Sequence, residues 1–252
     1  MEKESLILKK RLEELATKSY QQNRYTYTAF LSLYEQSIYL ENKEEYRFTK
    51  SSLYGGHKYA ERCIVCFGDS AILGYEETPP VVCVAITPVS KKYQDHLTHR
   101  DFLGSLMQLG IERSMLGDIC IVDNIGYVFC LEHIAPVIID QLNKIKHTIV
   151  ICEKQETNLE IQPKLKEIVG YVSSCRLDTI IGLAFQLSRS QSVSYIQEKK
   201  VFINGKLNCS NGSPVKEGVI VSVRGLGRFL FQEVSGTSKK GRLCVILQKF
   251  VS

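Results

Sequence analysis

At 252 residues, with 9 cysteines placed mostly inside apolar runs (Cys83, Cys120, Cys130, Cys152, Cys244), the chain can bury real cores. It suits two or three small domains of a reducing compartment, and a disulfide framework is excluded. From Ser174 to Ser252 there are 12 Lys/Arg and 4 Asp/Glu, a net of +8, against −3 for the remainder, so the basic C-terminal part is where a polyanion should dock. No stretch has the length of a transmembrane helix, and Met1-Glu-Lys-Glu opens a polar helix instead of a signal peptide; a cytoplasmic protein without membrane contacts is expected.

In chain order, Leu6, Leu12 and Leu15 predict one amphipathic helix and Ala29 to Leu40 another, separated by the polar, tyrosine-rich Tyr20 to Thr28. Glu41 to Lys50 is charged and should turn outward. Gly55-Gly56 leads into the apolar run Cys63 to Phe67; without a following Gly-Lys-Ser/Thr, the glycine pair reads as a tight turn and not as a phosphate cradle. Cys63 and Cys66 form a Cys-x-x-Cys, yet no second close pair of ligands exists. Period-2 geometry also puts the two thiols on opposite strand faces. They are read as strand packing, and neither metal nor cofactor is expected.

From Val81 the order is strand (Val81–Thr87), helix (His99–Gln108), strand (Ile119–Asp123), strand (Gly126–Leu131), helix (His133–Lys144), strand (Thr148–Cys152), with a hairpin at Asp123 to Gly126. This β-α-β-β-α-β succession is the ferredoxin-like arrangement shared by RRM domains. Tyr127 and Phe129 alternate on one strand as core or as a base-stacking platform, with core favoured. His99-Arg100-Asp101 fails as a kinase catalytic loop, because Leu106 stands where an Asn is required; Thr98-x-x-Asp101 is instead a helix cap. Glu153 to Pro163 is a polar boundary, and Ile168 to Val172 a short strand.

Leu177, Ile180, Ile181, Ala184 and Phe185 then recur at helical spacing after Arg176. Ser188 and Gln191 form a capping box that starts a second helix at Arg189, burying Val193 and Ile196 and ending near Lys199-Lys200. Val201 to Ile203 reads as a strand, Asn204-Gly205 as a hairpin turn, Pro214 to Gly218 as another turn, and Val219 to Val223 as a half-buried strand. Two short helices against small hairpins, with Arg176-Leu-Asp opening the first and Ser188-Arg189 the second, resemble the S4 RNA-binding domain. The match extends through Val201-x-Ile-Asn-Gly-Lys206 and Val215-x-x-Gly218-x-x-x-Ser222-Val223-Arg224. Arg189 lies at a helix N-terminus, where free N–H groups already attract anions. Arg176 and Arg189 are the leading phosphate contacts, with Lys199, Lys200, Lys206, Arg224 and Arg228 in support.

The whole chain resembles the YlmH family of bacterial proteins. The segments that carry this are Gly55-Gly-x-x-x-Ala60-Glu61-Arg62, Thr98 to Ile119 with its Gly110-Ile-Glu-Arg113-Ser-Met-Leu-Gly117-Asp118, Val172 to Asp178, and Val223 to Phe229. Cys63 to Phe67 departs from the family, which is more polar there. The resemblance implies an α+β protein with an N-terminal helical region carrying a strand (1–74), a central RRM-like domain (75–158) and a C-terminal S4 domain (172–252). It also implies association with ribosomal RNA of the large subunit and with peptidyl-tRNA. The family's RNA-binding domain is similar to that of a small ribosome quality-control factor that holds peptidyl-tRNA while alanine tails are added to stalled chains. A monomeric, non-enzymatic RNA-binding protein is therefore expected. The enzymatic rival is a pseudouridine synthase, but Arg176-Leu-Asp-Thr has Cys175 and Ile181 where its catalytic motif has Gly and Thr. The family's link to cell division gives a second rival, an adaptor whose basic module binds protein or membrane.

Overall fold

The computed structural model describes residues 2–90, 95–155 and 164–251. It separates into two compact units, Met1–Gln162 and Pro163–Val251, each combining helices with antiparallel sheet, so the α+β class holds. The polar boundary expected over 153–163 lies largely outside the described residues.

The first unit opens with α1 (Glu2–Gln22), which buries Leu12, Leu15 and Ala16 but leaves Leu6 exposed, although spacing assigned it to the same face. After β1 (Thr26–Tyr27), the helix expected from Ala29 begins only at α2 (Leu33–Asn42). The cause is local: the Ser32 hydroxyl accepts from the Glu35 amide, while the Ser32 amide donates to the Glu35 carboxylate. Phe30 and Leu31 stay outside the helix, where Leu31 bridges to Cys63. The charged segment 41–50 does not simply turn outward. Its Tyr46 folds back into the core and packs edge-on against Phe67, leaving Lys43, Glu44 and Glu45 in solvent.

Strands β2 (Ser51–Tyr54) and β3 (Ile64–Phe67) complete a three-stranded sheet of order β1-β3-β2. β3 is buried on both faces. Val65 and Phe67 meet the helical layer through Leu12, Leu15 and Tyr39, whereas Ile64 and Cys66 meet the next sheet. A single helical turn, α3 (Ser70–Leu73), follows the Asp69 cap.

The next sheet is built from β4 (Val81–Pro88), α4 (His99–Gln108), β5 (Leu116–Val122), β6 (Ile125–Leu131), α5 (Ala135–Gln141), β7 (Lys144–Ile145) and β8 (Thr148–Gln155). Its order is β5-β6-β4-β8-β7, antiparallel throughout. Asp123 and Asn124 both take positive φ, 51° and 66°, which closes β5 and β6 with a two-residue turn. The helix expected over 133–144 is shorter, because Leu142 is extended and Ile145 turns back into the core on β7. One sheet face packs Val82, Val84, Ile86 and Val128 against Phe102, Leu106 and Ile138. Gly126 permits that closeness, since a Cβ there would stand 2.3 Å from the Phe102 ring. The other face sets Val81, Cys83, Phe129 and Leu131 against Phe30, Ile64 and Cys66. Phe129 is thus core, with Tyr127 packed beside it.

The second unit starts with β9 (Lys164–Val172), longer than the 168–172 expected, followed by α6 (Leu177–Phe185) and α7 (Arg189–Gln197). Then come β10 (Val201–Ile203), β11 (Lys206–Leu207), β12 (Val219–Val223), β13 (Gly227–Thr237) and β14 (Leu243–Val251). The sheet order is β11-β10-β12-β13-β14-β9. Asn204 and Gly205 take φ of 47° and 79°, as the hairpin requires. Leu177, Ile180, Ile181, Ala184 and Ile196 from the helices meet Val201, Val221, Val223, Phe229, Phe231, Val245 and Leu247 from the sheet. On α7 the fully buried neighbour of Ile196 is Ser192, whose hydroxyl donates to the Ser188 carbonyl; Val193 is only half-buried.

Candidate nucleic-acid interface

The site begins at the break between α6 and α7. Gln186 adopts φ 55° and ends α6, and one residue later the Ser188–Gln191 capping box starts α7. Arg176 is the cap residue of α6 and Arg189 the first residue of α7. Both reach the same carboxylate. Arg176 donates from Nε and Nη2 to the two oxygens of Asp178, at 3.1 Å each, and Arg189 Nε lies 3.4 Å from Oδ2.

The Asp178 side chain is 1% exposed, whereas those of Arg176 and Arg189 are 43% and 79% exposed. Asp178 is therefore more than a first-turn acid favourable to the helix dipole, and Arg176 is not a solitary surface charge. Burial alone would push the Asp178 carboxyl up. The Arg176 hydrogen bonds and charge, the Thr179 amide and the Arg189 charge outweigh it and hold the group below the usual carboxylate range. The same bonds raise the Arg176 guanidinium. Two cations against one anion leave a surplus positive charge. Arg176 Nη1 and both terminal nitrogens of Arg189 make no hydrogen bond among the described residues. A second acceptor with several oxygens, such as a phosphate, fits those free donors.

The supporting cations divide. Lys199, at φ 57°, and Arg224 are exposed, and the Arg224 amide donates to the Lys200 carbonyl. Lys200 is engaged by the Glu198 carboxylate and lies 5.5 Å from the Tyr195 ring centroid. Lys206, on β11, pairs with Ile203 across the hairpin. Arg228 alternates with the core residue Phe229 and so faces away from the helices, its guanidinium 4.4 Å from the Phe250 ring. The structure does not bring Arg228 to the Arg176–Arg189 edge. Lys249, 4.5 Å from the Phe185 ring, was missed by sequence reasoning, although the alternation over 243–251 could have revealed its strand.

In the first unit, two of the motifs quoted above meet. The Asp118 carboxylate accepts from the Glu61 amide (2.7 Å) and the Arg62 amide (3.0 Å), and lies 3.2 Å from His57 Nε2. The Arg62 guanidinium donates to the carbonyls of Leu116, Phe30 and Arg113, at 2.9, 3.0 and 3.2 Å. Burial pushes the nearby Cys66 thiol up to about 12, and the Cys63 thiol packs by the Ala60 carbonyl. Among the described residues no group of three or more His, Cys, Asp or Glu could hold a metal ion. Among them, too, no helix is long and apolar enough to cross a membrane.

Residues 83–159 match the family model described as the putative RNA-binding domain in YlmH. The resemblance to the YlmH family is shown. The chain is also 29% identical over 201 residues to the ribosome-associated protein quality control protein P2 of Bacillus subtilis (strain 168), covering 77% of this chain and 76% of that one. Among solved structures it is similar to the cell division protein YlmH from Streptococcus pneumoniae. That match has a TM-score of 0.49 and 20% identity, over 63% of this chain and 95% of that one. The matched segment 83–159 begins inside β4 and takes in the rest of the five-stranded sheet with α4 and α5; Arg176 and Arg189 lie beyond it.

Proposed function

We propose that this chain is a non-enzymatic RNA-binding protein that docks on ribosomal RNA of the large subunit and on peptidyl-tRNA, as a monomer, in the rescue of stalled nascent chains. The observation that carries the reading is the pair of guanidinium groups gathered on Asp178 at the openings of two short helices, within a segment of net charge +8. We read residues 172–252 as an S4 domain and 75–158 as a ferredoxin-like, RRM-like domain, with 1–74 packed against the latter. The order β5-β6-β4-β8 and the intervening helices support that second assignment. The putative RNA-binding domain in YlmH and the name of the Bacillus relative support the ribosomal context.

The test is sucrose-gradient co-sedimentation with large ribosomal subunits. Hydrogen bonds to charged groups contribute about 1.5–3 kcal/mol each, so Arg176→Ala with Arg189→Ala should lose on the order of a hundredfold in affinity. Lys at both positions should recover only part of it, because a point charge lacks the planar fork. A folded double variant that co-migrates with wild-type salt resistance would remove the site.

A further inference from the structure

In the first unit, the sheet face through which RRM domains stack bases is closed. Phe129 on β6 is 3% exposed and lies under the His57 ring, with centroids 4.6 Å apart. Gly56 (φ 86°) makes this approach possible, since a Cβ there would stand 2.5 Å from the Phe129 ring. Val81, Cys83 and Leu131 on the same face are covered by Phe30, Ile64 and Cys66. Any nucleic acid that meets this unit must use another surface.

The cations around Asp118 offer one. Arg113 Nη1 donates to the carbonyls of Leu116 and Gly117, and it makes no hydrogen bond to a carboxylate among the described residues. Its Nε and Nη2 are unused there. Arg62 lies close by and is likewise held by carbonyls, one of them that of Arg113 itself. Asp118, the nearest acid, already takes two backbone amides and the His57 imidazole. That imidazole is 4% exposed, and its Nδ1 has no hydrogen-bond partner among the described residues. His99 opens α4, which packs beside β5, the strand of Asp118. Burial, and after it the Arg113 charge, hold the His99 imidazole below its ordinary value. Burial and the neighbouring Arg62 likewise press Arg113 down to about 10. Arg62 and Arg113, side by side and half-buried with backbone carbonyls as their hydrogen-bond partners, are stabilised by an added anion, which would also favour the charged form of His99.

We infer that Arg113, with His99 beside it, forms a second phosphate site in the first unit and receives a phosphodiester of the RNA backbone. The inference rests on the RNA-binding reading above, but on different residues. Asp118 fixes the Gly55–Arg62 loop and Arg62 fixes the carbonyls beneath Arg113, so both are positioning residues.

The experiment uses the full chain and a fluorescein-labelled single-stranded RNA of mixed sequence, titrated over a series of KCl concentrations. Two variants are compared, Arg113→Gln and His99→Glu. The second removes no hydrogen bond among the described residues and places an acid in the first turn of α4, where the helix dipole accepts it, while repelling phosphate. Each phosphate lost should flatten the slope of log K against log salt by about 0.7. Both variants should show that single step, with His99→Glu keeping its thermal midpoint. Should Arg113→Gln fail to fold, His99→Glu decides alone. A wild-type slope in folded His99→Glu overturns the site. So does a rise in thermal midpoint with inorganic phosphate, lost in His99→Glu, when the RNA slope does not change; the site would then take a free anion. The pair Arg176→Ala with Arg189→Ala is run in parallel. If that pair keeps full affinity while His99→Glu flattens the slope, the C-terminal site fails and this one stands.

Discussion

Arginine is used in opposite ways in the two units. In the first, Arg62 spends its guanidinium on three backbone carbonyls and joins Phe30 to the distant segment of Arg113 and Leu116. In the second, Arg176 and Arg189 gather on one buried carboxylate and turn their unused nitrogens to solvent. The residue type is the same, but Arg62 closes the fold, whereas Arg176 and Arg189 display charge. Charge count alone would rank all three as RNA contacts; the acceptor each one has found separates them.

The sharpest way to break this comparison is Arg62→Ala. It removes three hydrogen bonds of a half-buried guanidinium and leaves the Phe30 carbonyl without its donor, which should cost on the order of 3–5 kcal/mol of stability, read by urea denaturation. Arg176→Ala should cost less, because its side chain is half-exposed, water replaces part of the pair and Arg189 still faces the carboxylate. Equal losses in the two variants would erase the distinction.

Acid sharpens it next. The Asp178 carboxyl titrates lower in the folded chain than its ordinary value of 3.8. Its contribution to stability is therefore complete above that value and is lost as pH falls through the lower, folded one. Asp178→Asn should be less stable than the wild type at neutral pH, and the gap should close on acidification below about pH 4. A gap constant across that range would show that the carboxylate charge does not hold the two arginines. The smallest effect expected is that of Ser188→Ala, which removes the α7 cap at a cost of about 1 kcal/mol in the thermal transition. RNA affinity should fall with it only if α7 frays far enough to release Arg189.

Much of this was legible in the chain, for local reasons. Thr98 and Asp101, Ser188 and Gln191, Asp123-Asn124 and Asn204-Gly205 each specify a cap or turn within a few residues. The helix over His99–Gln108 and the hairpins accordingly stand where they were expected. The convergence of Arg176 and Arg189 on one edge was also expected, from their places at the openings of two neighbouring helices of one motif. The partner was not. Loop backbone reaches back over the start of α6, with the Asp178 amide donating to the Asn211 carbonyl and the Leu177 amide to the Ser213 carbonyl, contacts made across more than 30 residues. Leu6 and Tyr46 were misplaced for a related reason: periodicity assigns a face, but only tertiary packing determines whether that face is covered. The Asp118 knot joins residues 54–61 positions apart, and no local pattern announces it.

The pairing of β9 with β14 has a consequence for the order in which this protein forms. α6, α7 and the hairpin of β10 and β11 make mostly short-range contacts and can appear early. β9, although first in the unit, finds its only sheet partner among the described residues at Leu243–Val251, at the far end of the unit. During synthesis it must wait while roughly 70 residues emerge, at about 5–20 residues per second, a delay of several seconds. Its alternating Leu165, Val169 and Tyr171 carry exposed apolar surface through that interval. Lys164, Lys166 and Glu167 on the same strand supply the charges that discourage premature pairing with another chain.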